Sequence, residues 1–179
     1  MSLGDEPQTE WRWNVTTDPT AAIADFPAPF ARRLRQGGRL QVRIADGAGP
    51  GRPIRHDLTL PPSGGAIDQT LSACGRPLDD RRDSDLKAVA EGGLTVGARW
   101  GRRINPRFPN TRYAEGFVTV SCVASPAGRL SDCQVEAQHP GDGRFGQAVL
   151  RAAEDATIAY DVPPKTPGLV AFRVNFIMR

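Results

Sequence analysis

The sequence predicts an α+β protein built from two small units, and three observations carry that prediction. The 179 residues include 19 glycines and 16 prolines, which suits short strands joined by many turns better than a helical bundle. Strictly alternating apolar residues recur in both halves, as half-buried strands require. One segment with apolar residues at helical spacing lies between two such runs near the C-terminus. A chain this long fits one ordinary domain or two small ones, each near the lower limit for burying a core.

The expected elements of the first unit follow in order. "TEWRWNV" sets Trp11 and Trp13 on one face of a strand. In "DPTAAIADFPAPFARRLRQGG", Asp18-Pro19 offers a helix start, but Pro27 and Pro29 interrupt it and leave a short helix over residues 30–36. "GRLQVRIADG" places Leu40, Val42 and Ile44 on one face, and "PIRHDLTLPP" does so less regularly with Ile54, Leu58 and Leu60. "DGAGPGRP" joins them as a loop. "PSGGAIDQTLSACG" reads as a helix over residues 65–74, with Ile67, Leu71 and Cys74 as its buried stripe and Gly75 as its stop. Residues 1–80 are thus expected to form a small α+β module.

Residues 81–103 are charged, glycine-bearing and weakly periodic, and are expected as a linker with a short strand near 94–96. A third segment, 104–179, is far more legible. "GFVTVSCVAS" is a strand with Val118, Val120 and Cys122 on one face, and "RLSDCQVEAQ" a second with Cys133 and Val135. "SPAGR" turns between them, with Pro126 presetting φ and Gly128 supplying a left-handed residue. In "GRFGQAVLRAAEDATIAY" Phe145, Ala148, Val149, Ala152, Ala156 and Ala159 make one helix face. "VPPKTPG" breaks it, and "LVAFRVNFIMR" closes the chain as a strand carrying Val170, Phe172, Val174 and Phe176. The expected order is ββαβ: an antiparallel sheet with one covering helix.

Cys122 and Cys133 stand symmetrically about Ala127-Gly128. An even-membered turn then sets them opposite each other, with Cβ atoms roughly 4.5–5.5 Å apart, close to what a disulfide needs. A three-residue turn would break that register. A metal needs about four ligands, and His56 and His139 lie far off with no ligand spacing. A redox pair favours Cys-x-x-Cys, which is absent. A disulfide is the expectation, with two buried free thiols as the alternative. A disulfide places maturation in an oxidising space. Cys74, on a helix stripe, is expected to be an inert core thiol.

Tests for other chemistry are negative. "GDGRFG" spells G-x-G-x-x-G, but it follows an antiparallel arm and too little chain remains for a dinucleotide unit. It reads as a helix entry with Asp142 as N-cap. No Gly-x-Ser-x-Gly occurs and no cysteine lies near a histidine. "LDDRRDSD" interleaves carboxylates with Arg81 and Arg82, as a solvated loop with local ion pairs does. No enzyme, cofactor or catalytic residue is expected.

A net charge of +3 is only mildly basic and demands no anionic partner. "ARWGRRINPRFPNTR" mixes Arg99, Arg102, Arg103, Arg107 and Arg112 with Trp100 and Phe108, a pattern nucleic acid accepts. The oxidising compartment argues against that, so no nucleic-acid partner is expected. No run of about 18 apolar residues occurs, so no segment reads as a membrane span. The opening "MSLGDEPQ" reads as an expression scar on a trimmed start, from which a leader or anchor has been removed.

Taken in order, residues 104–179 resemble the C-terminal domain of TonB-type energy transducers. The matching features are the entry Asn105, Pro106, Phe108 and Pro109, the glycine Gly116 before the first strand, and the turn glycine Gly128. The Phe145-led alanine-rich helix, the break at Pro163-Pro164 and the apolar terminal strand complete the set. "LPPSGGAIDQTLSACGRPLDD" in the first half is similar to a segment found ahead of such domains in alphaproteobacterial envelope proteins.

The resemblance implies a periplasmic domain, anchored to the inner membrane through a removed N-terminal segment. It would grip a peptide segment of outer-membrane receptors by strand addition, with an inner-membrane energising complex as second partner. The peptide-binding edge is then the strand of Val170, Phe172, Val174 and Phe176, with the entry segment beside the bound peptide. Open edges also allow a homodimer. The alternative expectation is a soluble envelope scaffold of the same fold without energy coupling.

Overall fold

The computed structural model describes residues 1–5, 10–16, 21–61, 64–86 and 93–178; the expected helix start at Asp18-Pro19 lies outside them. The chain divides into two compact units, Met1–Asp80 and Arg81–Arg179. The fold is α+β, as the composition and alternation predict.

The first unit runs β1 (Ser2–Leu3), β2 (Trp13–Val15), β3 (Ala22–Ala24), α1 (Pro27–Leu34), β4 (Gly38–Ile44), β5 (Ile54–Leu60) and α2 (Gly65–Ala73). β2 and β3 form an antiparallel ribbon, and β1, β4 and β5 an antiparallel sheet in the order β1-β4-β5. α1 starts on Pro27 instead of after the prolines. The first turn of a helix has no internal acceptors for its N–H groups, so proline loses nothing there and its fixed φ is already helical. Trp11 and Trp13 both set ring edges against Phe30, with centroids 4.9 and 5.4 Å apart. Arg35 ties the helices together through Asp68, at 2.5 Å, and the Leu78 carbonyl, at 2.8 Å.

Leu71 of α2 is buried, but Cys74 is exposed, contrary to the expected core thiol. The helix stops at Ala73, and Cys74 caps it beyond the surface that Leu71 buries.

The second unit runs α3 (Arg82–Leu86), β6 (Ala98–Arg102), β7 (Glu115–Ala124), β8 (Leu130–His139), α4 (Phe145–Ala153), β9 (Thr157–Tyr160) and β10 (Gly168–Ile177). The supposed linker belongs to this unit, since α3 packs on β10 and β6 pairs with β9. The early strand lies at β6 and not at 94–96, where Ala98 N–H closes a turn on the Thr95 carbonyl. The helix also ends sooner than its alanine spacing suggests. β-Branched Thr157 and Ile158 suit a strand better, and pairing with β6 takes residues 157–160 into β9. Ala156 and Ala159 therefore lie off the helix, and the order becomes ββαββ.

The main sheet is antiparallel in the order β10-β7-β8. Its front face gathers Val118, Val120, Cys122 and Ala124 with Val170 and Phe176, beneath Phe145, Ala148 and Val149 of α4.

Cys122 and Cys133 form a disulfide, by a different route from the symmetric turn expected. A two-residue Ala127-Gly128 turn would put Ala127 at positive φ, which a β-carbon resists. Instead Gly128 N–H donates to the Ser125 carbonyl at 2.8 Å and Gly128 takes φ +79°. Pro126, Ala127 and Gly128 thus make the three-residue turn, and Ala124 opposes Leu130. That register alone would misalign the cysteines by one residue. Asp132 absorbs the extra residue at φ 48°, a bulge between Ser121/Gln134 and Val123/Ser131. The sulfurs then meet, with Cα atoms 4.1 Å apart.

Candidate functional site

β10 borders the main sheet, and its hydrogen bonding alternates. Met178 N–H donates to the Ala114 carbonyl at 2.7 Å, in line with the register that pairs Phe176 with Gly116. In an antiparallel ladder every second residue faces its neighbour strand. Val170, Phe172, Val174 and Phe176 therefore bond to β7, and their side chains face the core. The strand expected as the edge is the border strand of its sheet, and the four residues named on it supply its bonds to β7. The outer border is made by Leu169, Ala171, Arg173, Asn175 and Ile177, whose N–H and C=O groups point away from β7.

That border is partly covered. Ala171 N–H donates to the Gly93 carbonyl at 2.9 Å. Gly93 takes φ +76°, and a Cβ there would collide with the Ala171 carbonyl oxygen, so only glycine reaches this position. Beyond it, no main-chain partner meets the outer groups of Arg173, Asn175 and Ile177 among the described residues. The Arg173 guanidinium lies over the Phe117 ring, 4.6 Å from its centroid, and Nε donates to the Asn175 side chain at 2.9 Å. Ile177 and Met178 are 68% and 57% exposed.

The entry segment reaches the same end of β10. Phe108 sets its ring edge against Phe145 at 5.8 Å and Phe176 at 5.9 Å. Pro106 and Pro109 are half-buried, and Asn105 is exposed. Trp100 stacks edge-on to Phe172 at 5.4 Å. Both aromatics of the basic stretch are thus turned into the core, while Arg99 pairs with Asp161 at 2.5 Å.

Asp142 is no helix cap, contrary to expectation; the residue before α4 is Arg144. Asp142 accepts from the Tyr113 hydroxyl at 2.7 Å and from Arg112 at 3.1 Å. The Tyr113 hydrogen bond, more than the Arg112 charge, holds its carboxyl below the usual range. Arg112 is raised first by its own hydrogen bond to the Tyr113 oxygen, at 2.7 Å, and then by the charge of Asp142. This trio fastens the entry segment to the loop before α4.

On the rear of the sheet, Arg82 is buried, unlike the solvated side chain expected of "LDDRRDSD". Its guanidinium donates to Ser121 Oγ at 3.2 Å and the Asp132 carbonyl at 2.9 Å, and meets the Asp132 carboxylate at 2.5 Å. The Ser121 hydroxyl in turn donates a hydrogen bond to buried Glu136 at 2.5 Å, which also accepts from Gln134 at 2.7 Å. No signal in the sequence marked this network, because it joins residues 39 and 50 positions apart.

Comparison with solved structures finds the chain similar to the solution NMR structure of the Pseudomonas aeruginosa TonB CTD, at 21% identity and a TM-score of 0.40. The alignment covers 47% of this chain and 89% of that one. No family model matches the chain, and no curated protein matches it.

Proposed function

We propose that the second unit binds an extended peptide by strand addition on the outer border of β10. In the cell it would act as a periplasmic TonB-like protein that takes peptide segments of outer-membrane receptors and couples them to an inner-membrane energising complex. The observation that carries this reading is the row of outward N–H and C=O groups at Arg173, Asn175 and Ile177 on a well-packed terminal strand. Main-chain groups on such a border give affinity, and flanking side chains give selectivity. The ordered resemblance of residues 104–179 supplies the receptor and the coupling. The Cys122–Cys133 disulfide suits an oxidising compartment. No catalytic step is part of the proposal.

The folded unit over Met1–Asp80 favours a second reading, an envelope scaffold that binds peptide without transducing force. The test titrates the labelled chain with peptides copying receptor N-termini and follows backbone amides. Shifts at Arg173, Asn175 and Ile177 are expected. Asn175→Pro should abolish them, because it removes an outward N–H and leaves the bonds to β7 in place. Silence along residues 169–177 rejects both readings.

A further inference from the structure

The β4–β5 hairpin of the first unit has a second unpaired border. Residues paired across it share a face: Leu40 with Leu58, Val42 with His56, Ile44 with Ile54. Phe30 and Leu34 line the same small apolar cavity as Leu40, and Leu40 is buried, whereas Ile44 and Leu58 each remain 49% exposed. β5 is the outermost strand of its sheet.

Gly4 N–H donates to the Arg39 carbonyl at 2.9 Å, so Arg39 and Gln41 turn their main chains toward β1. By alternation Leu40, Val42 and Ile44 bond to β5 through Leu58, His56 and Ile54. Arg55, Asp57 and Thr59 are left directing N–H and C=O outward, and no backbone meets them among the described residues.

We propose that this border pairs antiparallel with the same border of a second copy of the chain, with His56 on the two-fold axis. Besides registers centred on Arg55, Leu58 or Thr59, none of which opposes unlike charges, two registers bring outward-facing residues opposite one another. Centring on Asp57 sets that carboxylate against its own copy and Arg55 against Thr59. Centring on His56 sets each Arg55 against Asp57 of the other copy, twice by symmetry. Like charges directly opposite destabilise a ladder and opposite charges stabilise it, so the charge pattern selects the second. The same register lays Leu58 against Ile54 of the other copy, which covers apolar surface the monomer leaves in water. Asp57 also lies 3.2 Å from Arg39 of its own hairpin, so each carboxylate sits between two guanidiniums. Pro53 and Pro61 bracket the strand, and their missing N–H groups limit the pairing to this stretch.

The test is sedimentation of the full chain over a wide concentration series, with Arg55→Asp, Asp57→Arg and the double exchange. Self-association is expected of the native chain. Each single reversal should weaken it by roughly tenfold or more, and the double exchange should restore it. A crosslinking arm in a Cys74→Ser background does not depend on charge. His56→Cys should join two copies on oxidation, since residues facing at a non-bonded pair lie about 4.5 Å apart, and Asp57→Cys should not. A native chain that stays monomeric overturns the proposal. So does association that survives both single reversals, which would put the contact elsewhere, or crosslinking through Asp57→Cys in place of His56→Cys.

Discussion

Phe145 shows how one side chain organises the second unit. Its ring touches Phe176 at 4.7 Å and Phe108 at 5.8 Å, so α4, the terminal strand and the entry segment meet on it. Gly116 and Gly143 clear the space, since a Cβ at either would lie inside contact of that ring. Within "GDGRFG", Gly143 thus serves packing against Phe145, and Gly146 gives room to Val135 and Gln138. Nearby, the Tyr113–Asp142–Arg112 trio makes a pH prediction. A carboxyl held low in the folded state adds stability above its unfolded pKa, near 3.9, and loses it as pH falls through the folded value. The Asp142 carboxyl carbon should therefore titrate below the ordinary carboxylate range in an NMR pH series, and Tyr113→Phe should return it toward that range. The sequence pointed to Asp142, but as a cap, because local spacing cannot reveal a partner 29 residues away.

β10 was plain in the sequence, while its working border was not. Alternation identifies the edge strand and which of its side chains face the core, but not that the outward main-chain groups belong to the residues between them. The Gly93 contact was invisible, because it depends on how a weakly periodic segment returns to the sheet. Its consequence is testable. Gly93→Ala forces a β-carbon into the Ala171 carbonyl at a backbone angle that disfavours it. The segment should detach, with faster hydrogen exchange at the Ala171 amide. Peptide affinity should rise as the free ladder lengthens toward Leu169. Unchanged exchange at Ala171 would show that the contact does not cap the strand. β6 and β9 escaped notice for a related reason, as each is short and finds its partner far along the chain.

For the whole molecule, composition and alternation were enough to give the α+β class. The Cys122–Cys133 bond was expected too, but from an even turn that the hairpin replaces with a three-residue turn and a bulge. The first module was expected to end at residue 80, where the first unit does end. Residues 81–103, however, read as a linker, because the charges of "LDDRRDSD" concealed a helix docked through buried Arg82. Reducing the disulfide should lower the stability of the second unit by about 2–3 kcal/mol, given the short loop it closes. Urea unfolding with and without reductant measures this, and coincident curves would reject it.

The odd count of the hairpin turn reaches further than the sulfurs. Without Asp132 the two arms would be of matching length and the cysteines would still face each other, but Arg82 of α3 would lose the carboxylate it meets at 2.5 Å. The surplus residue that the bulge sets aside to keep the cysteines opposed is also a mooring for a helix on the opposite face.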